Sequence, residues 1–263
     1  MADPAPPERT TRHLVQPGAE PFFFPGGPAG CLLLHGLSSS PYVVRELGVH
    51  LHAAGVTVAA PLLAGHGTTP EDLRTKTWAD WVASAEAGLA QLQAHGCRRV
   101  VLAGLSLGGA ISLFLAARDP DAYAGLITMS APVWIPPLLQ APLEALGGPM
   151  PYFRTGFTDI ADPAADARQL TYDRVPLATG VTLIDLLAHV RAGLPRVTTP
   201  ALIIYARRDH LVHPMNSMHI YSTIASAHKR LAVLHRGAHT VTVDYDKARV
   251  FHLATEFVAK LPS

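Results

Sequence analysis

A serine between two glycines, Gly104-Leu105-Ser106-Leu107-Gly108, has the spacing of a nucleophile carried on a sharp turn. Glycines flanking the turn let backbone segments approach without Cβ clashes, which would present the Ser106 hydroxyl at a sheet edge. The competing reading is a helix N-cap serine after a strand. A serine hydroxyl attacks poorly without a base, and the base needs an orienting carboxylate. Asp209, in Arg208-Asp209-His210-Leu211-Val212, and His239, in Gly237-Ala238-His239-Thr240, supply both in the order serine, acid, histidine. Their rivals are weaker. Asp185 falls inside an expected helix, Asp244 and Asp246 come after the histidine, and His235 falls at a strand end. Oxyanion stabilisation needs backbone donors, and the Leu107 N–H, directly after the serine, is one candidate. The Leu37 N–H, in the loop Leu34-His35-Gly36-Leu37-Ser38, is the second, with His35 bracing that loop. The chemistry these groups would perform is acyl transfer.

Such groups need a frame that brings distant loops to one edge. Six short apolar runs read as strands covered on both faces: Cys31–Leu34, Val56–Ala60, Val100–Ala103, Leu126–Met129, Ala201–Tyr205 and Leu231–Leu234. Amphipathic stretches alternate with them. Val43, Val44, Leu47 and Leu51 recur at helical spacing, as do Trp78, Trp81, Val82, Ala85, Leu89 and Leu92. A helix is expected from about Ser106 to Ala117, and another over Asp244 to Lys260. This pattern predicts an α/β fold with a mostly parallel central sheet flanked by helices. Asp209 and His239 each follow a predicted strand, at the carboxyl edge where such sheets bind ligands.

Taken together, these segments resemble the α/β-hydrolase fold family, and within it the small-cap bacterial carboxylesterases and monoacylglycerol lipases. The resemblance is carried by His35-Gly36, Pro61-Leu62-Leu63-Ala64-Gly65-His66-Gly67, Gly104–Gly109, Asp209–Val212 and Gly237-Ala238-His239. It implies Ser106, Asp209 and His239 as a triad, with the Leu37 and Leu107 amides as the oxyanion hole. It also implies that Arg12–Gln16 and Phe22–Phe24 form the first two strands. A small, mainly helical cap would then be inserted after the sixth. The Pro-, Leu- and Ala-rich stretch from residue 131 to 194, which shows no clear strand, is the expected cap; residues 1–130 and 195–263 form the core. Its apolar content predicts an acyl pocket, with Trp134, Ile135, Leu138, Leu183 and Leu187 as candidate lining. The expected activity is hydrolysis of short- to medium-chain acyl esters, monoacylglycerols among them, through an acyl-enzyme and without cofactor or metal. A thioesterase or carbon–carbon bond hydrolase could use the same triad. A non-catalytic ligand receptor on the same fold is the alternative of a different class.

Composition narrows the partners. The 263 residues carry 21 Lys+Arg against 20 Asp+Glu, a net charge of +1, and only 16% charged residues. That balance gives no basic surface for nucleic acid or anionic lipid. Two cysteines, Cys31 and Cys97, cannot build a disulfide framework or a Cys-rich zinc site, and read as reduced thiols. The pairs His210/His213 and His235/His239 have metal-ligand spacing, but both fall in expected loops with no carboxylate pair to complete them. No apolar run reaches membrane-span length, and Met1–Arg12 lacks the apolar centre of a signal peptide. A cytoplasmic enzyme with a small-molecule ester substrate is expected.

Overall fold

Strands that are apolar on both faces must be sandwiched between helices, and the central sheet is. The structure, a computed structural model, describes residues 14–135, 152–154 and 158–261. Its strands are β1 (Phe22–Phe24), β2 (Ala29–Leu34), β3 (Thr57–Ala60), β4 (Arg99–Leu105), β5 (Gly125–Met129), β6 (Tyr152–Arg154), β7 (Arg174–Pro176), β8 (Ala201–Ala206) and β9 (Lys229–Leu234). The helices are α1 (Tyr42–Ala53), α2 (Pro70–Arg74), α3 (Trp78–Ala94), α4 (Leu107–Arg118), α5 (Pro163–Asp166), α6 (Leu177–Gly193), α7 (Met215–Thr223) and α8 (Lys247–Lys260). Seven strands form one sheet in the order β1-β3-β2-β4-β5-β8-β9. Only β1 runs antiparallel, pairing Phe23 with Ala59. This is the α/β-hydrolase fold.

Alternate strand residues enter two separate cores, as a pleated sheet requires. Leu32, Leu34, Leu102, Leu126 and Ile203 pack with Trp81 and Leu92 of α3 and Leu113 of α4. Cys31, Leu33, Val101, Ile127 and Ile204 pack on the other face with Leu47 and Leu51 of α1 and Val250 of α8. Trp81 is wholly buried in the first core, and Trp78 packs against the same cluster. At the carboxyl edge, the register sets Leu34 beside Gly104, Leu105 beside Met129 and Ala206 beside Leu234. The loops holding Leu37, Ser106, Asp209 and His239 therefore leave neighbouring strands at one end of the sheet.

Two expectations about the frame change. Residues 14–16 form no strand, and Arg12 and His13 lie outside the described residues, so Phe22–Phe24 is the first strand described. Among the described strands, the cap follows the fifth in chain order. The cap is also not strandless: β6 and β7 make an antiparallel ribbon with Phe153 opposite Val175. Three-residue strands are too short to show a period in sequence. Helix α6 with its 3-10 continuation, Leu177–Arg196, reaches 20 residues at a mean hydropathy of 1.3. Its length and composition match a membrane span even though Asp185 and Arg191 interrupt the apolar runs. In the fold, Leu186, Leu187, Val190 and Leu194 of this segment are buried in the first core.

Candidate active site

The turn at Ser106 is as tight as its glycines imply. Ser106 has φ 53° and ψ −117°, a conformation L-residues rarely adopt. A Cβ at position 104 would lie 2.1 Å from the Gly108 carbonyl group, and one at 108 would lie 2.4 Å from the Leu34 carbonyl oxygen. Strand β4 and helix α4 can therefore meet only through glycine. The turn is held from both sides: the Ser106 N–H donates to Met129 O at 2.8 Å, and its carbonyl accepts from Ala110 N–H at 3.1 Å. Helix α4 begins at Leu107, whose N–H belongs to the first turn, where amides lack an intrahelical acceptor. Ser106 is half-buried and lines a cavity of about 720 Å3 together with Leu37, Leu107 and His239.

Behind the cavity, His239 and Asp209 form a buried pair. His239 Nδ1 lies 2.8 Å from Asp209 Oδ2, and the two side chains are 8% and 1% exposed. An ionised carboxylate only accepts, so Nδ1 carries the proton and Nε2 is left as the basic nitrogen. The other Asp209 oxygen accepts from the N–H groups of Leu211 at 3.0 Å and Val212 at 2.7 Å. Both carboxylate oxygens are thus committed, and the plane of the imidazole is fixed through them. The rivals are engaged elsewhere: Asp185 accepts from Trp78 Nε1 at 2.7 Å, and Asp246 accepts from Arg236 N–H and Gly237 N–H. His210 faces Asp159 through Nδ1 at 2.7 Å, and that contact raises its pKa. Among the described residues, no group of three or more His, Cys, Asp or Glu side chains could hold a metal ion.

The loop carrying Leu37 is braced by buried histidines. His35 Nδ1 lies 2.9 Å from Gly36 O, while its Nε2 accepts the Leu63 N–H at 3.1 Å, which makes the ring neutral. His66 packs edge-on between His35 and Trp81. Burial lowers the His66 pKa to about 4, and burial together with the nearby His66 pushes His35 well below the ordinary value. The cap joins this brace through Tyr172. Its N–H donates to Ser38 O at 3.2 Å, and its hydroxyl donates to Gly65 O and accepts from Thr68 N–H, both at 2.8 Å.

These neutral rings make acid destabilising. On unfolding they regain their ordinary affinity for protons, so their contribution is complete above pH 6.5 and lost as pH falls toward the folded value. His66 alone then removes about 3 kcal/mol by pH 4. Urea unfolding measured from pH 6.5 to 5, above the range of most carboxylates, is expected to show a falling free energy with net uptake of more than one proton. A flat profile would contradict the neutral pair.

The cavity has two characters. Trp134, Ile135, Val175 and Leu183 contribute apolar lining, and Ser38, Ser39, Thr158, Asp166 and Gln169 contribute polar lining. Among the described residues, Ser39 Oγ and Gln169 Oε1 are buried with no hydrogen-bond partner. Of the residues expected to line a pocket, the structure places Trp134, Ile135 and Leu183 on this cavity, and Leu138 lies outside the described residues. Leu187 does not line the cavity. It shares a helix face with Leu183, but one turn further along that face it is buried against the core. Tyr172, Gln169 and Ser39 were not singled out by sequence. They are polar residues in unpatterned segments, and nothing local marks them.

Known proteins agree with this architecture. The family Hydrolase_4, described as "Serine aminopeptidase, S33", matches residues 28–246. The chain is 38% identical over 247 residues to the thermostable monoacylglycerol lipase of Bacillus sp. (strain H-257), covering 94% of this chain and 96% of that protein. It is 30% identical over 244 residues to a carboxylesterase of Bacillus subtilis (strain 168), covering 92% and 97%. A solved structure reported with the metagenome-derived lipolytic enzymes LipS and LipT superposes with a TM-score of 0.90 at 34% identity, covering 94% of this chain and all of that one. A family match across most of the chain, and two bacterial hydrolases similar from end to end, complete what the turn, the buried pair and the sheet edge began: this chain belongs to the Hydrolase_4 family of α/β-hydrolases, related to bacterial carboxylesterases and monoacylglycerol lipases.

Proposed function

We propose that this chain is a serine carboxylic ester hydrolase for short- to medium-chain acyl esters, monoacylglycerols among them. The observation that carries the reading is a serine on a strained strand–helix turn opening into the same cavity as a buried His–Asp pair. Ser106 Oγ attacks the ester carbonyl while His239 Nε2 takes its proton, and Asp209 stabilises the resulting imidazolium. The Leu37 and Leu107 N–H groups stabilise the oxyanion. Collapse breaks the ester C–O bond, and the imidazolium returns its proton to the departing alcohol. Water, deprotonated by the same nitrogen, then releases the acid and regenerates the serine.

The mixed lining of the cavity supports this substrate class. The apolar lining suits a short acyl chain, and the polar lining residues Ser38, Thr158 and Thr240 suit the free hydroxyls of a polyol alcohol. The monoacylglycerol lipase and carboxylesterase among the relatives support both halves. The reading treats residues 131–194 as a cap on a core of 1–130 and 195–263. It places the enzyme in the cytoplasm, in keeping with two buried, unpaired cysteines.

A substrate series tests it. Among p-nitrophenyl esters from acetate to palmitate, kcat/KM is expected to peak between butyrate and decanoate, with 1-monooctanoylglycerol turned over and trioctanoylglycerol hydrolysed far more slowly. A maximum at palmitate would overturn the chain-length assignment. An acyl thioester or an aminoacyl anilide turned over faster than every ester would overturn the ester class. Failure of a fluorophosphonate to label Ser106 in folded protein would favour a ligand receptor.

A further inference from the structure

Midway through the cap, residues 158–162 are stitched to both catalytic loops by two buried carboxylates, Asp159 and Asp244. Asp244 is 1% exposed, and its oxygens accept four backbone N–H groups. Oδ2 takes Ala238 at 2.7 Å and Ala161 at 2.8 Å; Oδ1 takes Tyr245 at 2.7 Å and Asp162 at 3.0 Å. Ala238 precedes His239, whereas Ala161 and Asp162 belong to the cap, so one side chain joins the two. Asp159 makes the complementary tie. It is 8% exposed with φ 51°, and its carboxylate receives His210 N–H at 2.8 Å and His210 Nδ1 at 2.7 Å. The Asp159 carbonyl accepts the Thr240 N–H at 3.4 Å, and the Thr158 carbonyl accepts the Thr240 hydroxyl at 3.3 Å. His210 follows Asp209 and Thr240 follows His239. This cap segment therefore grips the backbone on both sides of the histidine and directly after the aspartate.

We propose that residues 158–162 form a fixed strap that holds the His239–Asp209 pair in register, with Asp244 and Asp159 as positioning residues for the reaction. This rests on the triad reading given above. Neither carboxylate lines the cavity, so neither touches substrate there. Each works by setting where a catalytic loop stands, and small displacements of that kind reduce turnover more than binding. The tight turn fits the same purpose. A Cβ at Gly237 would lie 3.0 Å from the Asp244 carboxyl carbon, so the loop before His239 is seated on that side chain. The strap also divides the cap by function: the leg at 158–162 belongs to the catalytic frame, and any opening of the cavity must occur elsewhere in the cap.

The full chain and four variants decide this: Asp244→Asn, Asp159→Asn, Ser106→Ala and, as a control, Asp185→Ala. The control removes the Trp78–Asp185 contact between cap and core at a residue that does not line the cavity. At Asp244, exchanging one acceptor oxygen for a donor amide sets N–H against backbone N–H; at Asp159 it removes the charge that His210 Nδ1–H meets and turns that ring to its other tautomer. With p-nitrophenyl butyrate, kcat per fluorophosphonate-titrated site is expected to fall about tenfold or more in both strap variants, with KM within about threefold of wild type. The downfield proton resonance of His239 Nδ1–H should broaden or vanish in both. Asp185→Ala should keep wild-type kcat and resonance. If Asp244→Asn does not fold, Asp159→Asn, which loses only the milder tie, decides alone. Wild-type kcat and resonance in the strap variants, a change confined to KM, or an equal loss in Asp185→Ala would each overturn the strap. The triad reading fails separately, by an active Ser106→Ala or an unlabelled wild type.

Discussion

Ser106→Ala is expected to lower kcat for a short-chain ester by about 10⁴-fold or more, with KM within a few-fold and thermal stability nearly unchanged. The size follows from what the hydroxyl alone supplies. Without Oγ no acyl-enzyme forms, and His239 has no proton to take. The cavity wall, the Leu37 and Leu107 amides and the His239–Asp209 pair all remain, so substrate still binds and a residual rate above water persists. The fold should tolerate the change because the backbone at 106 is set by its neighbours: Gly104 and Gly108 allow the close approach, and Met129 O and Ala110 N–H hold the turn. Alanine bears the same Cβ as serine at φ 53°, so it adds no strain that serine lacks. Steady-state kinetics, a melting curve and fluorophosphonate labelling of the variant check the three parts. Retained turnover in a folded, unlabelled Ser106→Ala protein would remove the nucleophile from the mechanism.

How much of this was legible in the sequence depends on whether the signal was local. The strands Ala29–Leu34, Arg99–Leu105 and Ala201–Ala206 are buried on both faces, so they read as unbroken apolar runs. Helix α3 declared itself by Trp81, Ala85, Leu89 and Leu92 on one face; the structure adds Asp80 accepting the Thr77 N–H at its start and Gly96 at φ 97° just past its end. The Ser106 turn was equally plain, because the nucleophile and the glycines that its steric demands require lie within the same five residues. Helix α7 was missed. Met215 and Met218 are exposed and only Asn216, Ser217 and Ile220 are buried, so no apolar stripe marks it.

The cap resisted for a related reason. Its ribbon pairs Tyr152–Arg154 with Arg174–Pro176 across an intervening loop and helix, and neither strand is long enough to alternate. Asp244 shows the same limit at the site. In sequence it is only a carboxylate five residues beyond the histidine, a rival to Asp209. Its work becomes visible once Ala161 and Asp162, more than eighty residues earlier in the chain, are seen donating to it. Leu187 failed in the opposite direction. Helical spacing correctly put it on the face of Leu183, but spacing does not say where along that face a cavity ends.

Asp209→Asn is the second change expected to be severe, with kcat/KM falling about 10⁴-fold although the substituted side chain has nearly the same shape. The carboxylate accepts in two directions, from His239 Nδ1 on one oxygen and from Leu211 and Val212 N–H on the other. An amide can accept in only one of them. If its oxygen keeps the two backbone donors, its NH2 faces His239, and the ring must turn its lone pair to Nδ1 and carry its proton on Nε2. That tautomer cannot take the Ser106 proton. If the amide flips, the imidazole keeps its tautomer but the NH2 meets the two loop N–H groups, and the loop that positions the residue is pushed away. The first arrangement leaves the melting temperature close to wild type and the second lowers it, so a melting curve taken beside the kinetics identifies which occurs. Both predict slow fluorophosphonate labelling, because Ser106 is still present but no longer activated. A variant that retained activity within about tenfold of wild type would mean that Asp209 orients the histidine by packing alone.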